Sequence, residues 1–306
     1  MSPFGRRRFL KSSVLAPFIV KDLAKINKKR IPPLSFSTLG CPGWTFDKVV
    51  SFAASHQYQG IELRGIKGKL NLPELNEFNS ASGIAETMQK MQDKHLRFVD
   101  LGSSTELHHT DAATWQKHLD DGKKFIDLAA KLNCPYVRVF PNKLPDTDER
   151  SKIIDLIIQR LIELGNYAKQ SGVRVLMESH GDAVKTDELQ KIMEAASSSN
   201  TGLVWDVVNM WVVTKQSPTE VYSKLKNYIY HTHLKDLTID DNKNLHYVLI
   251  GTGVTPVFEA IDLLYKNGYK GFYSFEWEKL WHPEILEPEV ALADFPQKMK
   301  AHFKQL

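Results

Sequence analysis

The chain has 306 residues, 42% of them apolar and 25% charged. That balance is ordinary for a globular protein and excludes a disordered, collagenous or disulfide-dense chain. The formal charge of +4 is unevenly placed: nine of the 40 basic groups but one of the 36 acids fall in residues 1–30, which leaves residues 31–306 with 31 basic groups against 35 acids, a charge of −4. A mildly acidic body argues against nucleic-acid binding driven by phosphate neutralisation. No stretch approaches the roughly 20 apolar residues of a membrane-spanning helix.

In chain order, the first feature is Arg6-Arg7-Arg8-Phe9-Leu10-Lys11, followed by an apolar segment, Val14-Leu15-Ala16-Pro17-Phe18-Ile19-Val20. This resembles a twin-arginine export signal. The apolar segment is short and holds Pro17, and no clear small-x-small cleavage site follows it. The resemblance implies a periplasmic protein that crosses the membrane already folded and meets the membrane only through this leader, tethered there if cleavage fails. Residues 1–30 are therefore read as leader and linker, and 31–306 as one domain.

From residue 34 onward, eight short apolar runs (34–39, 60–64, 97–102, 136–140, 174–179, 202–206, 229–234 and 272–276) alternate with segments whose apolar residues recur every three or four positions. Ile153, Ile154, Ile157, Ile158, Leu161 and Leu164 form the clearest helical stripe. Ser217-Pro218-Thr219-Glu220 is a capping box with proline at the first helical position, Thr255-Pro256 repeats the cap-then-proline pattern, and Thr186-Asp187-Glu188 puts acids into a first turn. Gly172 and Gly268 sit where helices end. Strand then helix, eight times in about 270 residues, predicts an α/β fold of the (β/α)8 TIM-barrel type. An open doubly wound sheet would carry G-x-G-x-x-G at its first turn, which Gly40-Cys41-Pro42-Gly43 does not supply. Cys41 and Cys134 fall at opposite barrel ends and are expected to be free thiols.

Catalysis in such a barrel belongs at the C-terminal ends of the strands. Strand five reads Val175-Leu176-Met177-Glu178-Ser179-His180, strand six ends in Trp205-Asp206, strand seven reads His231-Thr232-His233-Leu234-Lys235-Asp236, and strand eight reads Phe275-Glu276-Trp277-Glu278. A buried carboxylate needs a cationic partner or a metal. Glu178, Asp206, His233 and Glu276 together offer three carboxylates and one imidazole. That donor set suits one divalent ion, foremost Mn²⁺, with Mg²⁺, Co²⁺ or Zn²⁺ as alternatives, and is unlike thiolate-rich structural zinc.

The chain resembles the xylose isomerase-like barrel superfamily of sugar phosphate isomerases and epimerases. The residues that carry the likeness are Gly60-Ile61-Glu62-Leu63-Arg64, the four strand ends just quoted, Gly251-Thr252-Gly253 and Tyr269-Lys270-Gly271-Phe272, spread over roughly residues 34–300. The resemblance implies that Glu178, Asp206, His233 and Glu276 bind the metal and that Glu178 and Glu276 are the acid/base pair. The family often shows Asp-x-x-His after strand six; here Asn209 stands in the histidine's place, and asparagine does not titrate near neutrality.

Among neighbouring residues, His180 shares the inward face of Glu178 and is read as a catalytic group. Lys235, Asn209, Trp281 and His282 are read as substrate contacts, and Arg138 and Glu62 as substrate contacts or an ion pair. His231 is placed deeper, and His108-His109 is read as an exposed loop. The expected activity is a metal-dependent sugar isomerase or epimerase that abstracts a proton next to a carbonyl on an unphosphorylated sugar or keto-sugar. The alternatives are a lyase or dehydratase on a 3-keto sugar or keto-glycoside, and a non-catalytic sugar-binding barrel. The expected partner is a small carbohydrate and no nucleic acid, with the oligomeric state left open.

Overall fold

Alternating strands and helices do close on themselves. The computed structural model describes residues 31–306; the leader read at residues 1–30 lies outside the described residues. The strands and helices in chain order are β1 (Leu34–Ser37), α1 (Phe46–Ser55), β2 (Gly60–Leu63), α2 (Ala81–Asp93), β3 (Arg97–Glu106), α3 (Ala112–Lys131), β4 (Tyr136–Phe140), α4 (Arg150–Ala168), β5 (Arg174–Glu178), α5 (Thr186–Ala196), β6 (Thr201–Asp206), α6 (Val207–Thr214), α7 (Pro218–Leu225), β7 (Ile229–Leu234), β8 (Asp236–Ile239), β9 (Leu245–Val248), α8 (Val257–Lys266), β10 (Tyr273–Phe275) and α9 (Pro288–Gln305). Eight strands form a closed parallel barrel in the order β1-β10-β7-β6-β5-β4-β3-β2, the predicted fold, while β8 and β9 make a separate antiparallel hairpin.

Local chemistry sets most helix boundaries. Ser217 and Glu220 form the expected reciprocal capping box at the start of α7. On α4, Ile154, Ile157, Leu161 and Leu164 are buried against the barrel, as their spacing predicts. Gly172 and Gly268 both have φ of +73°, the left-handed conformation expected just past a helix. Thr255 is a correction: the cap position of α8 falls on Pro256, and the Thr255 hydroxyl donates instead to Asp236 Oδ1 at 2.7 Å. Both cysteines are free and buried, as expected.

Two departures from the predicted elements shape the site. Strand β3 runs four residues beyond the expected end, with a register shift between Gly102 and Glu106 that carries Ser104 and Glu106 to the barrel mouth. Gly102 leaves room there for two arginine side chains, since a Cβ would stand 2.8 Å from Arg64 Cδ and 2.9 Å from Arg138 Nη2. The hairpin between β7 and α8, which short polar runs concealed in the sequence, brings Tyr247 over the same mouth.

Candidate metal and active site

Strand register converges the predicted donors. Asp206 is the cross-strand partner of His233, and β5 ends on Glu178. Glu276 follows β10, its N–H donating to the Leu234 carbonyl. All four side chains are buried, and one donor atom from each lies within 4.8 Å of the others. Nδ1 of His233 lies 3.3 Å from Glu178 Oε1 and 3.2 Å from Glu276 Oε1. Its other nitrogen, Nε2, lies 3.1 Å from Glu62 Oε2. The carboxylates of Glu276, Glu62 and Glu178 outweigh burial and raise His233 well above an ordinary histidine, so that without a metal it is a cation; a bound ion would displace the Nδ1 proton while Glu62 keeps the one on Nε2.

The site is densely charged. Lys235 Nζ stands 2.7 Å from Asp206 Oδ2, 2.7 Å from Glu276 Oε2 and 2.6 Å from Glu278 Oε1. Arg138 Nε is 3.1 Å from Glu178 Oε2, and Arg138 Nη1 donates to the Ser103 carbonyl at 2.7 Å. Burial pushes the Glu276 carboxyl upward, but His233 and Lys235 outweigh it and hold the group ionised. Glu178 follows the same balance, with His233 and Arg138 overcoming its burial. Asp206 goes the other way: burial pushes it up to about 7, against the pull of Lys235. Glu278 is also raised by burial.

A divalent cation fits these residues. Glu178 Oε2 and Asp206 Oδ2 are buried without a hydrogen bond, their contacts to Arg138 and Lys235 being charge contacts alone. Three carboxylates and an imidazole oriented from behind form an oxygen-rich donor set of the kind that holds Mn²⁺, Mg²⁺, Co²⁺ or Zn²⁺.

Above the cluster opens a cavity of about 390 Å³. Arg138, Asn209, Lys235 and Trp281 line it together with Glu178, His180 and Glu276. His180 donates from Nδ1 to Asn142 Oδ1 at 2.8 Å, which leaves the Nε2 lone pair as its acceptor. Burial keeps this imidazole more acidic than an ordinary histidine, hence neutral. Asp206 doubles as the N-cap of α6, accepting the Asn209 backbone N–H at 2.8 Å.

Three expectations are corrected. Glu62 is completely buried and does not line the cavity; its Oε2 accepts from His231, His233 and Ser274, which puts it behind the His233 ring. His282 also lies outside the cavity lining, packed edge-on to Tyr247 and 3.2 Å from Glu284. His108 and His109 are half-buried, with His109 Nε2 2.9 Å from Glu106 Oε2. His118, stacked on His109, accepts the Glu106 backbone N–H at Nδ1 and so is engaged in holding the end of β3.

Sequence reasoning missed four polar lining residues, Ser104, Glu106, Tyr247 and Glu278, besides the apolar Leu39 and Phe140. Only Glu278 carried a signal, since it lies two residues past Glu276 on the same face. Arg64 also lines the cavity; its guanidinium binds the Gly102 carbonyl and Ser104 Oγ, and burial beside Arg138 lowers it to about 9.

Comparison with known proteins places the chain in a family. The inosose isomerase of Halalkalibacterium halodurans is 25% identical over 246 residues, covering 78% of this chain and 84% of that protein. The inosose dehydratase of Geobacillus thermodenitrificans is 30% identical over 158 residues, covering 45% of this chain and about half (51%) of that protein. The crystal structure of the IOLI protein with a bound zinc atom shares the fold at a TM-score of 0.72 and 16% identity, over 89% of this chain and 97% of that one. Residues 50–295 match the sequence profile of the xylose isomerase-like TIM barrel. The chain belongs to the xylose isomerase-like TIM barrel family.

Proposed function

We propose that this protein is a metal-dependent enzyme that abstracts a proton next to the carbonyl of an unphosphorylated keto-sugar, with isomerisation or epimerisation as the outcome. The observation that carries the reading is the pair of ionised carboxylates, Glu178 and Glu276, on the two flanks of His233 Nδ1, each backed by its own cation. Their strands are separated in the barrel by β6 and β7, so the two groups approach a bound sugar from different sides. One removes a proton, and the other, once it has taken up a proton from solvent, returns that proton to the substrate carbon. A divalent ion bound by Glu178, Asp206, His233 and Glu276 supplies a Lewis acid for the negative charge that develops on the substrate oxygen. Lys235 and Arg138 hold the carboxylates in place, and His180, with Nε2 as acceptor, binds a sugar hydroxyl or relays its proton.

Three features support an unphosphorylated substrate. Lys235 is committed to three carboxylates. Arg138 is committed to Glu178 and the Ser103 carbonyl. The Gly251-Thr252-Gly253 loop spends the N–H groups of Gly251 and Gly253 on Asp236 Oδ2, at 2.9 Å each, so that loop is built around a carboxylate of the chain itself.

A dehydratase reading is favoured by one further residue. Glu278 lines the cavity beside Glu276, its carboxyl raised by burial against the pull of Lys235 at 2.6 Å, and this group, whenever it carries a proton, is placed to pass it to a departing hydroxyl. The inosose dehydratase relative points the same way. Glu276→Gln, assayed on a panel of keto-sugars with added Mn²⁺, tests the shared first step: turnover is expected to fall by at least 10³-fold with the fold intact, and full activity in that variant contradicts the assignment. Release of water and growth of an enone absorbance in the wild type would select the dehydratase outcome. We also propose that residues 1–30 direct export, which places this chemistry on sugars of the periplasm.

A further inference from the structure

A second cavity, of about 480 Å³, opens beside the first and shares two of its lining residues, Glu106 and His180. It is bordered by His108, His109, Asn142 and Lys143, from the loops that follow β3 and β4. Those loops are tied into a fixed shape. Asn142 adopts a left-handed backbone (φ +52°) while its side chain holds His180. The Asn142 carbonyl accepts the Asp182 N–H at 2.8 Å, and Asp182 Oδ2 in turn accepts the Leu144 N–H at 3.1 Å. Gly181, also left-handed at φ +62°, lies so close under Asn142 that a Cβ would collide with its backbone.

The first cavity contains the proposed reacting groups and has the size of a single sugar ring with its water. Trp281, 55% exposed at its rim, presents an aromatic face of the kind that packs on a sugar. The second cavity, which shares Glu106 and His180 with the first, is lined by the imidazole, amide and ammonium groups of His108, His109, Asn142 and Lys143, all of which can hydrogen-bond sugar hydroxyls. We propose that this second cavity is a subsite for a further sugar ring, so that the substrate class is a two-ring glycoside whose keto ring occupies the metal-side cavity. The assignment rests on the proton-abstraction reading for the identity of the reacting ring, and its test is a binding measurement that needs no turnover.

Methyl glucoside and the methyl glycosides of maltose and cellobiose lack a free carbonyl and therefore bind without reacting. Titration calorimetry of Mn²⁺-loaded protein should show at least one of the two-ring probes binding tenfold or more tightly than methyl glucoside. The double variant His109→Ala, Lys143→Ala should lose that advantage. Equal affinities for one-ring and two-ring probes, no binding of either two-ring probe, or an advantage that survives the double variant would each overturn the subsite. Deuterium exchange into a one-ring keto-sugar reports separately on proton abstraction.

Discussion

Lys235 Nζ stands 2.7 Å from Oε2 of Glu276, while Oε1 of the same carboxylate lies 3.2 Å from His233 Nδ1. One oxygen of Glu276 thus answers to a permanent cation and the other faces the proposed metal position. Lys235 also neutralises Asp206 and Glu278, so a single buried ammonium holds three carboxylates together. Removing one partner from a buried ionic group leaves charge without compensation and costs about 3–5 kcal/mol. Lys235→Met is therefore expected to lower the melting temperature of the metal-free protein markedly, and saturating Mn²⁺ should restore much of the loss by replacing the missing positive charge. Thermal unfolding with and without Mn²⁺ measures both effects; an unchanged melting temperature in metal-free Lys235→Met would contradict this role.

Glu62 should influence metal affinity without touching the metal. Its Oε2 accepts from His233 Nε2 at 3.1 Å and from His231 Nε2 at 2.9 Å. Partners of this kind behind a ligand are worth about 10–100-fold in metal affinity. Glu62→Gln is expected to weaken Mn²⁺ binding within that range, read by calorimetry, while the substrate dependence of the metal-saturated enzyme stays close to that of the wild type. A changed KM at saturating metal would put Glu62 in contact with substrate after all.

Asp100 supplies a pH signature. It is the cross-strand partner of Glu62, is fully buried, and has no hydrogen bond to either carboxylate oxygen. Burial, reinforced by the Glu62 charge, pushes it up to about 8. With the folded value above the unfolded value of about 3.9, the folded state keeps a proton that the unfolded chain has already released. The contribution of Asp100 to stability therefore falls as pH rises from about 4 towards 8 and levels off above, at on the order of 1 kcal/mol per pH unit. Asp100→Asn removes this dependence, so the gap between variant and wild type in denaturant unfolding should widen in the variant's favour from pH 5 to pH 8. Parallel curves would show that Asp100 is ionised in the folded state.

The cluster of proposed metal donors was legible because its signal is local and repeated: Glu178, Asp206 and Glu276 are each an acid closing an apolar run, and His233 sits at the matching place on β7. The eight-strand count was legible for the same reason. What surrounds the donors was not. Glu62 and Arg64 alternate with apolar residues just as substrate contacts would, and only the closed barrel shows that Glu62 lies behind His233 and Arg64 beside the cavity. The extension of β3 depends on a register shift against β4, and Tyr247 depends on a hairpin of short polar strands; neither has a periodicity of its own. His109 and Glu106 were unreadable as neighbours of His180, because their meeting is made by the packing of two loops.

The export proposal has its own test. A folded reporter fused behind residues 1–30 should reach the periplasm, and Arg6→Lys with Arg7→Lys should block it; transport that persists in the double variant would remove the twin-arginine reading.

The central claim is proton abstraction at a carbon next to a carbonyl, and solvent isotope exchange tests it most directly. Mn²⁺-loaded protein is incubated in D₂O with each of a panel of keto-sugars and followed by proton NMR. The expected result is deuterium at the carbon adjacent to the carbonyl of the substrate that turns over, absent in Glu276→Gln. Turnover without deuterium at that carbon, whatever the product, would contradict it.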